Sequence, residues 1–143
     1  MGVAAGLRAS VSAVVADADT AIQAGSGDVP VLATPRLLAL AEAATVAAIS
    51  PHLPSGVTSV GTSASLEHRR ASPVGAEVVV EAELTEIDGR RLVFSFIARE
   101  SGHRTEAPGD DGGDDRVVGA GTVERVLVDR QAFLARAAAG HQP

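Results

Sequence analysis

At 143 residues the chain can close one hydrophobic core and is too short for two ordinary domains, so it reads as a single domain over residues 1–143. Its hydrophobic content of 45% excludes a disordered chain, and its formal charge of −6 argues against nucleic acid as a partner, because binding phosphates calls for excess positive charge. Cysteine is absent, which excludes disulfides and thiolate metal sites, and no apolar run approaches a membrane span, so a cytoplasmic enzyme with no membrane partner is expected.

Residues 7–15 alternate loosely and predict a first strand; the short apolar stretch there, followed at once by Asp17 and Asp19, does not make a secretory signal. AGSGDVP (24–30) is a breaker. A helix is predicted from Thr34, a good N-cap, with Pro35 at the favoured first helical position, and two prolines and a glycine in SPHLPSG stop it after Ile49. Of the sixteen residues 35–50, eleven are Ala, Leu, Val or Ile. A helix apolar nearly all round is expected to be buried nearly all round.

The second half predicts the sheet that wraps it. Residues 57–72 read as a long strand. In 77–87, Val78, Val80, Ala82 and Leu84 alternate with Glu77, Glu81, Glu83 and Thr85. Asp88-Gly89 signals a hairpin. In 91–100, Leu92, Phe94 and Phe96 share one face and Val93 and Ile97 the other, so both faces are expected to be covered. Residues 117–128 form the last strand and 131–139 a short terminal helix. Between the last two strands, residues 101–115 carry five acids and four glycines. Their spacing does not match a calcium loop, and a mobile acidic hairpin insertion is expected.

Three residues invite chemistry. Glu42 lies in LLALAEAATVAAI among apolar neighbours; it is either an edge or ion-paired residue, or a carboxylate held in a partly dry pocket as base or nucleophile. Thr34 reads equally as an ordinary cap. His68, on a predicted strand beside Arg69 and Arg70, is either an exposed strand histidine or an acid–base group, and the two arginines either a solvated edge or an anion contact. His52, His103 and His141 show no shared metal-ligand spacing, so no metal is expected.

The run VLATPRLLALAEAATVAAISPHLPSGVTSVGTSASLEHRRASPVG resembles the fluoroacetyl-CoA thioesterase family, a branch of the hotdog-fold thioesterases. That family has a Thr just before the central helix, a Glu eight residues later, and a Gly-Thr pair ahead of a catalytic His on the next strand. Here these fall on Thr34, Glu42, Gly61-Thr62 and His68. The likeness continues through VEAELTEIDGRRLVFSFIA and GAGTVERVLVDRQAF, covering residues 31–133 apart from the acidic insertion.

The resemblance implies an α+β hotdog fold, with a five-stranded antiparallel sheet around the apolar helix and a short C-terminal helix. It also implies a homodimer with active sites near the interface. Glu42 would attack the thioester carbonyl or activate water, His68 would be its acid–base partner, and the Thr34 hydroxyl would hold the carboxylate. Gly61 N–H would donate to the oxyanion, Arg125 would meet the pantetheine or phosphate arm of coenzyme A, and Arg69 and Arg70 are further candidates for those phosphates. No cofactor beyond the substrate's own coenzyme A is expected. Fluoroacetyl-specific members carry a Phe-containing lid before the central helix. DADTAIQAGSGDVPV has no aromatic residue, which argues against fluorine discrimination and leaves a short-chain or unidentified acyl-CoA as the expected substrate. The alternative is a non-catalytic acyl-CoA-binding module on the same fold, which would not need Glu42 and His68 together.

Overall fold

The alternating segments of the second half become four long antiparallel strands, β2 (Val57–His68), β3 (Glu77–Asp88), β4 (Arg91–Ser101) and β5 (Val117–Asp129), joined by β1 (Arg8–Val14). The computed structural model describes residues 2–101 and 116–140. The acidic insertion beyond Ser101, with His103 and His141, lies outside the described residues. The strand order is β1-β3-β4-β5-β2, so β2, which carries Gly61 and His68, is an edge strand that among the described residues pairs only with β5.

Period-2 patterning fixes which face of the sheet is buried. Val78, Val80, Ala82 and Leu84 of β3 and Leu92, Phe94 and Ala98 of β4 are fully buried, with Phe96 nearly so. Val93 and Ile97 on the opposite face are only half-buried, so the expected cover on both faces of β4 is not supplied by the described residues. The β3–β4 hairpin turns one residue later than expected. Asp88 pairs with Arg91 across a two-residue loop, and Gly89 takes φ 62° at its first position, a conformation that glycine adopts without a Cβ clash.

Helix α2 (Thr34–Ile49) lies in the curve of the sheet and sends Leu37, Leu40, Ala41, Ala44, Ala48 and Ile49 into the core. Burial is less complete than the composition had suggested. Ala39, Ala43, Val46 and Ala47 form an exposed stripe at three- and four-residue spacing, because a single sheet covers only one side of a helix. The cap also differs. Ala33 is the N-cap and makes no side-chain bond, and Thr34 is already helical, which leaves its hydroxyl for another partner.

Two short elements were not expected. Thr20 caps α1 (Ala21–Ala24) by accepting from Gln23 N, and a 3-10 turn spans Asp17–Asp19. The terminal helix α3 (Arg130–Ala139) starts one residue early, capped by Asp129, whose carboxylate accepts from Ala132 N at 2.8 Å. No helix among the described residues is long and apolar enough to cross a membrane.

With few aromatic residues, the core relies heavily on Phe94. We expect Phe94→Ala to cost about 3–5 kcal/mol and Leu134→Ala, at an exposed site of α3, less than about 0.5 kcal/mol. Urea unfolding at one fixed protein concentration checks the difference.

Candidate active site

The first turn of α2 meets the last residue of β2. Thr34 Oγ1 and His68 Nδ1 are 2.8 Å apart, a hydrogen bond whose direction depends on the imidazole tautomer. Gly119 faces His68 across the β2–β5 ladder, and a Cβ there would run into the Glu67 backbone carbonyl at 2.5 Å. The same Cβ would come within 3.2 Å of Leu37 Cδ2, so bare backbone there eases the strand pairing first and the helix contact second. His68 Nε2 is buried with no hydrogen-bond partner among the described residues. Burial pushes the imidazole below its ordinary pKa, with the Arg70 backbone pulling the other way. The ring is therefore neutral near pH 7, with one nitrogen held by Thr34.

A cleft of about 340 Å³ opens beside this pair. Val29 and Leu32 give it apolar wall, and Asp28, Arg69 and Arg70 are also in its lining. Arg69 is exposed and pairs with Glu67 at 2.9 Å, a contact weak enough to exchange for another anion. The segment 26–29 forms part of the wall without an aromatic side chain.

Glu42 belongs to a different cluster. Its Oε2 lies 3.5 Å from Arg125 Nη1, with the Glu42 side chain 42% exposed and that of Arg125 8%. The same oxygen lies against Gly61, where a Cβ would collide with it. Gly61 stands opposite Arg125 in the β2–β5 register, just before a bulge at Thr62. Arg125 also donates from Nε to Ser59 Oγ at 2.8 Å and from Nη2 to the Ser59 carbonyl at 3.2 Å.

The predicted residues thus come together in two groups, Thr34 with His68 and Glu42 with Gly61 and Arg125. Within one chain the groups stand apart. Eight residues of helix separate Thr34 from Glu42 by about 12 Å, and seven residues of strand separate Gly61 from His68 by roughly 23 Å. Two expectations change accordingly. The Thr34 hydroxyl meets the imidazole, not the Glu42 carboxylate. Arg125 is buried and turned towards Ser59 and Glu42, an unsuitable place from which to reach a solvent-borne phosphate. Sequence reasoning passed over Ser59 and Gly119. The alternation of Gly119 and Gly121 in a strand otherwise rich in valine was the available signal for the second, and nothing local marked the first.

The sequence profile described as fluoroacetyl-CoA-specific thioesterase matches residues 15–131. A fluoroacetyl-CoA thioesterase of Streptantibioticus cattleyicolor is 38% identical over 106 residues, 74% of this chain and 67% of that protein. A solved fluoroacetyl-CoA thioesterase superposes with a TM-score of 0.82 at 29% identity, covering 100% of both chains. A hot-dog-like protein from Thermanaerovibrio acidaminovorans, at 19% identity, gives 0.80 over 97% of this chain and 93% of its own, a likeness of fold. By profile, identity and topology together, the chain belongs to the fluoroacetyl-CoA-specific thioesterase family of hotdog-fold thioester hydrolases.

Proposed function

We propose that the protein hydrolyses a short-chain acyl-CoA to the free acid and coenzyme A, using Thr34, Glu42 and His68 in sites completed between two copies of the chain. The observation that carries this reading is the 2.8 Å Thr34–His68 contact beside the cleft, a neutral imidazole held by one nitrogen with the other free to handle a proton. Relatives solved in this family include one in complex with acetyl-CoA and one with fluoroacetate and CoA. Here the wall at residues 26–29 has no aromatic residue, which favours a small acyl group without fluorine selection.

Glu42 acts either as nucleophile, forming an acyl anhydride as the thiolate of coenzyme A departs and releasing the acid when water cleaves that anhydride, or as the base that deprotonates the water attacking the thioester carbonyl. His68 Nε2 exchanges the proton with the leaving sulfur or the incoming water. Gly61 has no side chain to block the carbonyl, and its N–H is the proposed oxyanion donor. Arg69 and Arg70, beside the cleft, are the proposed phosphate contacts. The reading includes a cytoplasmic setting.

A homodimer reconciles the two groups. The exposed stretch 61–65 lies on the edge strand β2, and the exposed Ala39, Ala43, Val46 and Ala47 stripe of α2 flanks Glu42. An antiparallel two-fold pairing of β2 near Ala64 and Ser65 would set Gly61, with Glu42 above it, across from His68 of the partner subunit. Helix stripe and strand edge would be covered by the same contact.

This arrangement is tested by mixing inactive variants. We expect Glu42→Ala and His68→Ala each to cut hydrolysis of short-chain acyl-CoAs about 1,000-fold or more, to a slow residual rate read by free-thiol release. Unfolded and refolded together at equal amounts, they should regain about a quarter of wild-type activity, because each mixed dimer holds one intact site. Wild-type protein that turns over no thioester would favour the binding-module alternative, and no regain on mixing would place Glu42 and His68 in the same chain.

The pH dependence follows from the depressed imidazole. The acid limb of kcat/KM should have its midpoint below the ordinary histidine value of 6.5. Stability carries the same sign. Folded His68 binds its proton less tightly than in the unfolded chain, so its contribution is present above pH 6.5 and lost as pH falls through the folded pKa. The melting temperature of His68→Gln should therefore drop less than that of the wild type between pH 7 and pH 5.

A further inference from the structure

We propose that Arg125 is a positioning residue that, fixed by Ser59, aims the Glu42 carboxylate over Gly61. The inference rests on the thioesterase reading above, in which Glu42 does the chemistry. Three bonds carry it. The guanidinium gives Nε to the Ser59 hydroxyl at 2.8 Å and Nη2 to the Ser59 carbonyl at 3.2 Å, which leaves Nη1 directed at Glu42 Oε2, 3.5 Å away. A planar fork tied at two corners cannot rotate, so the third corner points in a set direction.

The partners are unequal in a way that suits this role. The Arg125 side chain is 8% exposed and that of Glu42 42%, so the cation is the fixed member and the carboxylate the one open to a substrate. Burial lowers the affinity of Arg125 for its proton, and the negative charge of Glu42 raises it again. Removing Arg125 would leave the carboxylate free to swing, because Gly61 offers no side chain to hold it. The helix does not fix it either, since the hydrogen bond from Thr45 Oγ1 at 2.6 Å goes to the Glu42 backbone carbonyl. Ser59 matters through both its atoms, but only its hydroxyl can be removed by substitution. Because Arg125 points inward, its effect on catalysis should be blind to the phosphates of coenzyme A.

The test compares acyl-CoA with acyl-pantetheine, which keeps the thioester and lacks the nucleotide and its phosphates. Acetyl-, propionyl- and butyryl-CoA are assayed first, and the fastest is paired with its pantetheine counterpart. In Arg125→Gln we expect kcat to fall about 100-fold, the scale of an ångström's misplacement, with KM little changed and the same factor on both substrates. Ser59→Ala should fall about 10-fold in the same pattern, and Arg125→Lys should recover only part of the loss. In a Glu42→Gln background, Arg125→Gln should cause no further loss, because it acts through the group already removed.

A rise in KM confined to the acyl-CoA would overturn the proposal in favour of a phosphate contact, and so would an unchanged kcat. Equal losses in the presence and absence of Glu42 would show a merely structural arginine. Should Arg125→Gln fail to fold, Ser59→Ala and Arg125→Lys carry the same comparison. Wild-type protein inactive on both thioesters would sink the functional reading itself, a distinct result.

Discussion

The central constraint is a sixteen-residue helix that has almost no polar face and only one sheet to cover it. A helix presents its side chains around a full circle, whereas a curved sheet reaches about half of it. The residual side of α2 is therefore apolar and open, and Glu42 is the sole ionisable residue between Arg36 and the helix end. The position that looks most costly for a carboxylate in sequence is thus half-exposed in the isolated chain. Its surroundings become dry only if another surface covers the Ala39–Val46 side. On the proposed reading, the contact that removes this apolar stripe from water also encloses the catalytic carboxylate, and the hydrophobic effect and the chemistry share one interface.

Small residues set how closely the parts approach. The core has few aromatic rings, and its tight places are defined by what is missing. A Cβ at Gly61 would displace Glu42, one at Gly119 would run into the Glu67 carbonyl and touch Leu37, and one at Gly121 would run into the Ser65 carbonyl. Together these glycines bring α2, β2 and β5 nearer than ordinary side chains would allow. That closeness lets the Thr34 hydroxyl at a helix start touch an imidazole at a strand end. Glycine in a strand weakens it locally. Here the loss is offset by the long β2–β5 ladder, which runs from Val57–Asp129 to His68–Gly119.

Patterns with strong periods were legible in the sequence, and those set by distant contacts were not. The alternation in 77–87 reports the buried face of β3 without error, because every second side chain meets the same core. The helix limits followed from Pro35 and the prolines after Ile49. Thr34 shows where local logic stops. Thr before Pro at a helix start reads as a cap, yet the cap is Ala33 and the hydroxyl bonds to a residue 34 positions away. The Asp88-Gly89 signal named the right hairpin and was out by one residue, since register came from the β3–β4 pairing as well as from the turn. Family resemblance named candidate site residues but carried no orientation for them. Arg125 was read as a ligand contact because sequence carries no information about which way a strand's arginine faces.

The two groups also differ in electrostatic character, and the difference has a chemical logic. His68 is partly desolvated and stays neutral, so it can take a proton without having first to lose one. Glu42 stands beside a buried cation held by Ser59 and keeps one flank open. Placed far apart in a single chain, neither group touches the other. On the proposed reading, pairing across a two-fold axis would bring a base-competent imidazole to a carboxylate that its arginine keeps from swinging onto the ring. The pair would then be poised for proton transfer with a substrate between them, and not consumed in a direct ion pair. On that reading the assembly would add a safeguard from geometry alone, since a lone copy would hold both halves of the chemistry and complete neither.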